Sequence, residues 1–289
     1  MGKTIQAVLG SHSRRFDTNR FVYPVVSRRS RGLSIGVNVN PDKICNFDCP
    51  YCQVQREIQP LDLEVDFEVM AEELHALAAE AASGEIWNHE RFAQTPQEYR
   101  RVNDVAFSGD GEPTTYRRLA DAIELAETVK ATHGLDAATI LITNATRLAH
   151  PDVAPALAAL AKVRHEIWAK LDAGTQERFE LMSGTRLDLG RIVENIAHCA
   201  KTHKVLIQSL FPTIDGEGPS DTEVEAWCGR LSRIVESGGR IEEVQVYTTA
   251  RRPADLRIGA LATGRLEEIA VRARELGLKA EVFAGREWE

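Results

Sequence analysis

Three cysteines within eight positions are the residues of this sequence best suited to chemistry. They are Cys45, Cys49 and Cys52, in the spacing C-x3-C-x2-C, and Tyr51 directly precedes the last of them. Three thiolates on one short segment can hold three irons of a cubic [4Fe–4S] cluster, which leaves the fourth iron without a protein ligand. Because an iron with an open position can bind a substrate or a second cofactor, the triplet predicts a reactive centre.

Two other kinds of metal site remain open for the triplet. A structural zinc site takes four ligands, often from paired C-x2-C units, so a fourth ligand would have to come from a distant residue. An electron-transfer cluster also takes four cysteines, and no fourth lies nearby in the sequence. The other two cysteines, Cys199 and Cys228, lie in helical patterns and are expected to be buried. A cluster with an open iron is therefore favoured over a non-catalytic zinc module.

A glycine-rich segment follows directly after the second predicted strand. Its residues are Ser108, Gly109, Asp110, Gly111, Glu112 and Pro113. Glycines let the backbone approach a ligand closely, and the Glu112 carboxylate can accept a hydrogen bond from an ammonium group. Such turns are common when they stand alone. At the end of a strand that neighbours the cysteine segment, the same turn predicts a second part of one site.

Short apolar runs alternate with helical patterns along the chain. Strands are expected at residues 33–39, 104–108, 139–143, 165–171, 205–211, 244–249 and 279–283. Helices are expected at residues 67–82, 119–131, 153–161, 189–202, 221–237 and 265–276. This alternation predicts an α/β fold with a parallel sheet. The count favours a partial (β/α)6 TIM-like barrel with an extra C-terminal strand, and a doubly wound open sheet is the runner-up.

The domain prediction separates a basic N-terminal arm from the barrel. We expect the arm at residues 1–32 and the barrel domain at 33–289, with an insertion at about 84–103. The first 43 residues hold eight Lys or Arg and two Asp, a net charge of +6. The whole chain carries −8, so the remainder carries −14. A basic arm can bind phosphates, and a solvated arm is the alternative interpretation.

The cysteine triplet and the glycine-rich segment together resemble the radical SAM superfamily. The resemblance implies that S-adenosylmethionine (SAM) chelates the open iron, and that a one-electron donor such as flavodoxin or ferredoxin reduces the cluster. It also implies that Glu112, with Gly109 and Gly111, holds the methionine amino group, and that Tyr51 lies near the adenine. Asp110 departs from the simplest form of this element, which has a glycine there.

Further segments look like the radical SAM proteins related to the wyosine-base synthases of tRNA. They end the third, fourth and fifth predicted strands and extend the resemblance over roughly residues 22–285. Asn144 and Asp172 would then hydrogen-bond a ribose or a substrate, and a turn or helix-cap role is the alternative. Gln208 is a further expected cavity residue.

Lys170 is a candidate catalytic residue under the same resemblance. Wyosine synthases couple to pyruvate through a lysine Schiff base, which implies that role for Lys170. Period-2 spacing places Lys170 on one strand face with Asp172. A lysine inside a barrel is costly unless paired, so a structural ion pair with Asp172, or a lysine that faces outward, is the alternative interpretation.

The cysteine count limits what the resemblance implies. Wyosine synthases carry a second cluster with cysteines before the radical SAM triplet, and this sequence has no cysteine before Cys45. We therefore predict a radical SAM enzyme that cleaves SAM to a 5′-deoxyadenosyl radical and modifies an unidentified substrate. That substrate is a tRNA bound through the arm, or else a small molecule or peptide.

Composition places the protein in the cytoplasm, without a membrane partner. No apolar run approaches the ~20 residues that span a bilayer, and the first residues lack a long apolar signal segment. With three of five cysteines clustered, the chain has no disulfide framework, as expected in a reducing compartment.

Overall fold

The protein is described by a computed structural model that covers residues 16–251, 253 and 255–285. Residues 1–15, which form half of the predicted basic arm, lie outside the described residues. The chain divides into two compact units. The first comprises Met1–Ile44, Ile58–Ile142 and Asp152–His165, and the second comprises Cys45–Glu57, Thr143–Pro151 and Glu166–Glu289.

The first unit is built on a four-stranded arrangement in sequence order. Its strands are β1 (Val22–Ser27), β2 (Gly32–Val37), β3 (Val102–Phe107) and β4 (Ala138–Thr143), the last of which ends one residue beyond the unit. β1 pairs with β2 antiparallel, with Val22 opposite Val37. The pairs β2–β3 and β3–β4 are parallel. The carboxyl ends of β2 and β3 therefore lie at the same edge of the sheet.

In the described part of this unit, three α-helices accompany these strands. They are α1 (Phe67–Ser83), α2 (Leu119–His133) and α3 (Ala154–Leu160). Asp66 caps α1 because its side chain accepts a hydrogen bond from the Val69 N–H. α1 and α2 end at Gly84 and Gly134, whose positive φ angles of 82° and 65° suit glycine.

The second unit has a parallel sheet and a separate two-stranded ribbon. Its strands are β5 (His165–Lys170), which begins one residue before the unit, β6 (Val205–Leu210), β7 (Pro212–Ile214), β8 (Ile241–Tyr247), β9 (Ile258–Ala260) and β10 (Ala280–Phe283). Its helices are α4 (Gln176–Ser183), α5 (Leu189–Cys199), α6 (Asp221–Glu236) and α7 (Thr263–Glu275). β5, β6, β8 and β10 pair in parallel in that order, and β7 pairs with β9 antiparallel.

The core of the second unit forms where the helices cover the parallel sheet. All six residues of β6 are buried. Trp227 of α6 is fully buried, and its indole N–H donates to Ser209 Oγ at 3.0 Å and to the Leu171 carbonyl at 3.2 Å. Burying one large apolar side chain contributes about 1.5–3 kcal/mol, so this layer fixes the strand ends that carry the polar residues described below.

Among the described residues, seven of the ten strands and six of the seven α-helices occur where the sequence predicts them. The prediction that residues 1–32 form an arm is wrong for residues 22–27, which form β1 and pair with β2. Pro24 and the following arginines disguise this strand, and Pro is tolerated in β1 because its only strand partner among the described residues is β2. Residues 84–103 contain two short 3-10 helices, Glu85–Asn88 and Gln97–Tyr99, and no α-helix. No helix within the described residues is long and apolar enough to cross a membrane.

Candidate functional site

The three cysteines lie on an irregular segment of the second unit, residues 45–57, which we call the cysteine loop. Cys45, Cys49 and Cys52 form no disulfide, and each is partly buried. The Cys52 N–H donates to the Cys49 carbonyl at 2.9 Å, which closes a turn between the last two cysteines. The Phe47 N–H lies 3.5 Å from Cys45 Sγ, so a backbone donor is directed at the first sulfur.

Asn46, between the first two cysteines, is held by the turn that follows β4. Asn144 Nδ2 donates to Asn46 Oδ1 at 2.7 Å, and Asn46 Nδ2 donates to Thr146 Oγ1 at 2.7 Å. Asn195 of α5 supports this turn by donating to the carbonyls of Ala145 and Thr146. Of its two predicted roles, Asn144 shows the turn role, because its Oδ1 accepts from the Thr146 N–H and hydroxyl.

The next two loop residues pack against the end of α4. The Phe47 ring meets the Phe179 ring edge-on at 5.7 Å, and the Asp48 N–H donates to the Ser183 carbonyl at 2.7 Å. Gly184 has φ of 65°, and a Cβ there would lie 2.3 Å from the Asp48 carbonyl oxygen. Only glycine satisfies both conditions, so Gly184 lets the cysteine loop dock on α4.

Tyr51 faces into the second unit. Its ring is buried against Met182, Leu210 and Ile258, and its hydroxyl donates to Asp172 Oδ2 at 2.5 Å. Burial, together with the Asp172 carboxylate, raises the pKa of Tyr51 well above its ordinary value, so the hydroxyl stays a donor. The aromatic residue predicted near the adenine therefore ties the cysteine loop to the end of β5.

Lys170 and Asp172 form the ion pair that the sequence offered as one interpretation of this lysine. Lys170 Nζ lies 3.3 Å from Asp172 Oδ2 and donates to the Tyr247 hydroxyl at 2.9 Å. It also stands 5.0 Å from the centroid of the Tyr51 ring. Burial alone would lower the pKa of Lys170, but the Asp172 carboxylate beside it raises the pKa above its ordinary value. The ammonium form is therefore favoured, whereas a Schiff base begins from the neutral amine.

The rest of this network is also satisfied within the second unit. Asp172 Oδ1 accepts the Leu210 N–H at 2.7 Å. Gln208, the remaining predicted cavity residue, is 1% exposed and donates from Nε2 to Gln245 Oε1 at 2.9 Å. A small cavity next to Lys170 and Asp172 is otherwise lined mainly by apolar side chains such as Phe179 and Met182.

The glycine-rich segment belongs to the first unit and follows β3. A Cβ on Gly109 would lie 2.2 Å from Asn38 Oδ1, and a Cβ on Gly111 would lie 2.2 Å from the Ile44 carbonyl. Asn38 also binds Asp110, since its Oδ1 accepts the Asp110 N–H at 3.1 Å and its Nδ2 donates to Asp110 Oδ2 at 2.8 Å. Gly109 and Gly111 must therefore be glycines, because the segment that leads to the first cysteine passes too close to them for a side chain. Asp110 is held in place by its hydrogen bonds with Asn38.

Two predicted residues flank these glycines. Ser108 meets the Tyr23 hydroxyl, which lies 3.0 Å from its carbonyl oxygen and 3.1 Å from its Oγ. Glu112 is 2% exposed, and its Oε1 accepts from the Thr114 N–H at 3.1 Å and the Thr114 hydroxyl at 2.6 Å. Glu112 therefore caps the short 3-10 helix Pro113–Thr115 with a buried carboxylate.

Sequence reasoning missed the side chains that hold these segments. Asn38 and Asn195 carry no motif, and their partners stand 72 and 50 residues away in the chain. The polar residue just after β2 was the one signal for Asn38, because side chains at strand ends meet at one edge of a parallel sheet. Asn195 lies within a helical pattern that gives no such signal.

The donor set of the cysteine loop fits an iron–sulfur cluster in its chemistry. Soft thiolates prefer iron–sulfur clusters or zinc, and the Phe47 N–H supplies the kind of hydrogen bond to sulfur that tunes such clusters. Burial raises the pKa of the Cys49 thiol to about 12, so its thiolate needs a nearby positive charge such as iron. Within the described residues, no group of three or more His, Cys, Asp or Glu side chains is arranged closely enough to hold a metal ion.

Comparison with known sequences gives two partial matches. No family model matches the chain. It is 23% identical over 256 residues to the GTPase Obg of Brachyspira hyodysenteriae, a match that covers 88% of this chain and 33% of that protein. It is 31% identical over 130 residues to the UPF0026 protein MJ1312 of Methanocaldococcus jannaschii, covering 45% of this chain and 34% of that protein. The chain thus spans about a third of the length of these curated relatives.

Comparison with solved structures identifies the fold. The radical SAM methyltransferase of Sphaerobacter thermophilus matches with a TM-score of 0.59 and 15% identity, over 87% of this chain and 66% of that one. SuiB of Streptococcus suis bound to S-adenosylmethionine matches with a TM-score of 0.58 and 13% identity, over 89% and 52%. TYW1 with a lysine–pyruvate adduct matches with a TM-score of 0.51 and 16% identity, over 85% and 74%. The chain therefore has the fold of radical SAM enzymes, and the predicted fold class, the partial (β/α)6 barrel, is confirmed.

Proposed function

We propose that this protein is a radical SAM enzyme with one [4Fe–4S] cluster on Cys45, Cys49 and Cys52. The observation that carries the proposal is the C-x3-C-x2-C triplet of cysteines without a disulfide on an anchored loop, in a chain with the fold of radical SAM enzymes. SuiB, with the same fold, was crystallised with S-adenosylmethionine. A non-catalytic zinc site would use the same three cysteines, but it would not explain why the chain has the fold of radical SAM enzymes.

The bound cofactors would supply one kind of chemistry. With a cluster held by Cys45, Cys49 and Cys52 and SAM bound beside it, the chemistry supplied would be one-electron reductive cleavage of a sulfonium C–S bond, which would yield methionine and a 5′-deoxyadenosyl radical able to take a hydrogen atom from the substrate. A flavodoxin or ferredoxin would then reduce the cluster again by one electron.

The residues of this chain would bind and orient the cluster and SAM, and would exclude water from them. The three thiolates hold iron, and the buried Glu112 carboxylate accepts the methionine ammonium group. Asn144 and Asp172 hold the cysteine loop in place, since Asn144 donates a hydrogen bond to Asn46 of the loop and Asp172 accepts one from Tyr51 of the loop. Roles in SAM binding for the other predicted residues stay predictions; these are Ser108, Gly109, Asp110, Gly111, Asp172 and Gln208.

The substrate class we favour is a structured nucleic acid such as tRNA. Arg28, Arg29 and Arg31 stand in the turn between β1 and β2, which concentrates cationic side chains at one end of a hairpin. Clustered arginine side chains bind the phosphates of a nucleic-acid backbone. A peptide or small molecule is the alternative substrate. The ion pair of Lys170 favours its ammonium form, which argues against a Schiff base with pyruvate at this residue.

Replacing each cysteine of the triplet tests the proposal. We expect Cys45→Ala, Cys49→Ala and Cys52→Ala to lose cluster assembly after anaerobic reconstitution, measured by iron and sulfide content and by EPR of the reduced protein. Cys199→Ala and Cys228→Ala serve as matched controls, because both thiols are buried in helices, and we expect full loading. Full iron content in all three triplet variants, or zinc without iron in the wild type, would rule the proposal out.

A further inference from the structure

The cysteine loop contains one cationic side chain, Arg56, which the proposed function does not use. Its Nη1 donates to the Phe47 carbonyl at 3.1 Å and to Asp48 Oδ1 at 2.8 Å. Arg56 therefore folds back over the residues between the first two cysteines. Its side chain is 29% exposed and that of Asp48 is 82% exposed, so water screens the carboxylate and the ion pair compensates the partly buried cation only weakly.

The other edge of the guanidinium carries an unsatisfied donor. Arg56 Nε is buried and has no hydrogen-bond partner among the residues that the structure describes. Buried N–H groups are almost always paired, and an unpaired one on a charged group is especially costly. The planar fork of arginine suits anionic partners, because it stays charged and directs several donors at once. This arrangement points to an anion that the protein atoms do not themselves provide.

The Phe47 peptide links Arg56 to the first cysteine. Arg56 holds the Phe47 carbonyl, while the N–H of the same residue lies 3.5 Å from Cys45 Sγ. A [4Fe–4S] core with three thiolates is net negative, and reduction adds one more negative charge. Net charge and hydrogen bonds to sulfur are the quantities through which a protein sets the reduction potential of such a cluster.

We propose that Arg56 is a charge-compensating and positioning residue for the cluster of the cysteine loop. Its cation stabilises the reduced cluster, which carries more negative charge, and its hold on Phe47 keeps that N–H directed at Cys45. The inference rests on the proposed function, because it requires a cluster on the three cysteines. It predicts that the reduction potential depends on Arg56 even when cluster content does not.

The experiment compares the wild type with Arg56→Gln, Arg56→Lys and the control Arg233→Gln, all as reconstituted full-length protein. Arg233 makes an exposed ion pair with Glu194 on neighbouring helices, and its side chain is 60% exposed. Midpoint potentials are measured by EPR-monitored redox titration, beside iron and sulfide content and a thermal melt. We expect Arg56→Gln to shift the midpoint to a more negative potential, Arg56→Lys to shift it less, and Arg233→Gln to leave it unchanged.

The outcomes separate this inference from the proposed function. A wild type that binds no iron–sulfur cluster removes the proposed function itself. A loaded Arg56→Gln protein with the wild-type midpoint overturns the role of Arg56 and leaves the proposed function standing. Arg56→Gln could also fold but load no cluster. In that case, normal cluster content in Arg56→Lys would support the need for a positive charge. A failure of Arg56→Lys to load would overturn the charge argument and leave only the planar geometry of the guanidinium as the requirement.

Discussion

At the residue scale, Lys170 is a cation held by several partners, at a position for which the sequence offered both a catalytic lysine and a structural ion pair. Its ammonium group meets Asp172, the Tyr247 hydroxyl and the face of Tyr51. Each of these partners favours the charged form, so the site favours the cation over the amine that a nucleophile needs. The cost of burying the charge is offset only while all partners remain.

Lys170→Met should therefore lower the free energy of unfolding by about 3 kcal/mol, because it leaves Asp172 buried without its cation. Lys204→Met is the control, since that lysine pairs with Glu166 at 2.8 Å with its side chain 45% exposed, and we expect it to cost about 0–1 kcal/mol. Urea denaturation measures both. Folding raises the pKa of Lys170 above 10.5, so its contribution is fully present below that pH and is lost only as pH rises further. Equal costs for the two variants would contradict the buried-pair interpretation.

Glu112 carries the second prediction at this scale. Glu112→Gln keeps the oxygen that caps the Pro113–Thr115 helix but removes the carboxylate charge. A hydrogen bond to a charged group contributes about 1.5–3 kcal/mol, so we expect SAM affinity to fall about 10- to 100-fold with cluster content unchanged. Calorimetry on reconstituted protein measures the affinity, and Glu124→Gln on the exposed face of α2 is the control. Unchanged affinity in Glu112→Gln would remove Glu112 from SAM binding.

At the element scale, the cysteine loop depends on the helix end that it docks against. Gly184 ends α4 and Gly134 ends α2, and both have φ of 65°. Alanine at Gly134 would meet no atom within 4 Å, whereas alanine at Gly184 would meet the Asp48 carbonyl at 2.3 Å. The two positions therefore share the backbone strain and differ only in contact with the loop.

Gly134→Ala should cost about 1 kcal/mol of stability from backbone strain alone and leave iron content unchanged. Gly184→Ala should cost more and should also lower the iron retained after gel filtration, because the loop must move to admit the methyl group. Thermal melts and iron analysis on both variants measure the difference. Equal iron retention would show that docking on α4 does not position the cysteines.

Elements were predictable where one local pattern decides them. The continuous apolar runs of β4 and β6 mark strands buried on both faces, and the structure has them at Ala138–Thr143 and Val205–Leu210. β7 and β9 have three residues each, too few for any period to register. The anchors of the cysteine loop were hidden for another reason. The hydrogen bond from Asn144 to Asn46 joins residues 98 positions apart, and no local rule connects them.

At the scale of the whole molecule, fold and chemistry are specified by different amounts of sequence. Identities of 13–16% accompany TM-scores of 0.51–0.59, because many apolar sequences of suitable volume and pattern fill the same core. The chemistry depends on a few positions such as the cysteine triplet, and the substrate depends on surfaces that vary within one fold. Substrate choice must therefore be sought in features outside the shared fold, and the charge distribution is the strongest of these.

The uneven charge leads to the last prediction, that tRNA binds through the β1–β2 turn. The chain carries −8 overall, so a nucleic acid would be repelled except where cations are concentrated. Replacing Arg28, Arg29 and Arg31 together by glutamine should weaken tRNA binding. The slope of log K against log salt should become shallower by about 1 for each phosphate that these arginines neutralise in the wild type. Filter binding at several salt concentrations measures both quantities.

The control for this experiment changes the same net charge elsewhere. Arg191, Arg233 and Arg272 lie exposed on α5, α6 and α7, and their replacement by glutamine removes three charges without touching the turn. If binding depended only on net charge, the two triple variants would weaken it equally. A larger loss of affinity and a shallower salt slope in the turn variant alone would locate the tRNA-binding surface at the hairpin. Wild-type affinity in the turn variant would contradict this location, and a wild-type protein that binds no tRNA would leave a peptide or small molecule as the substrate class.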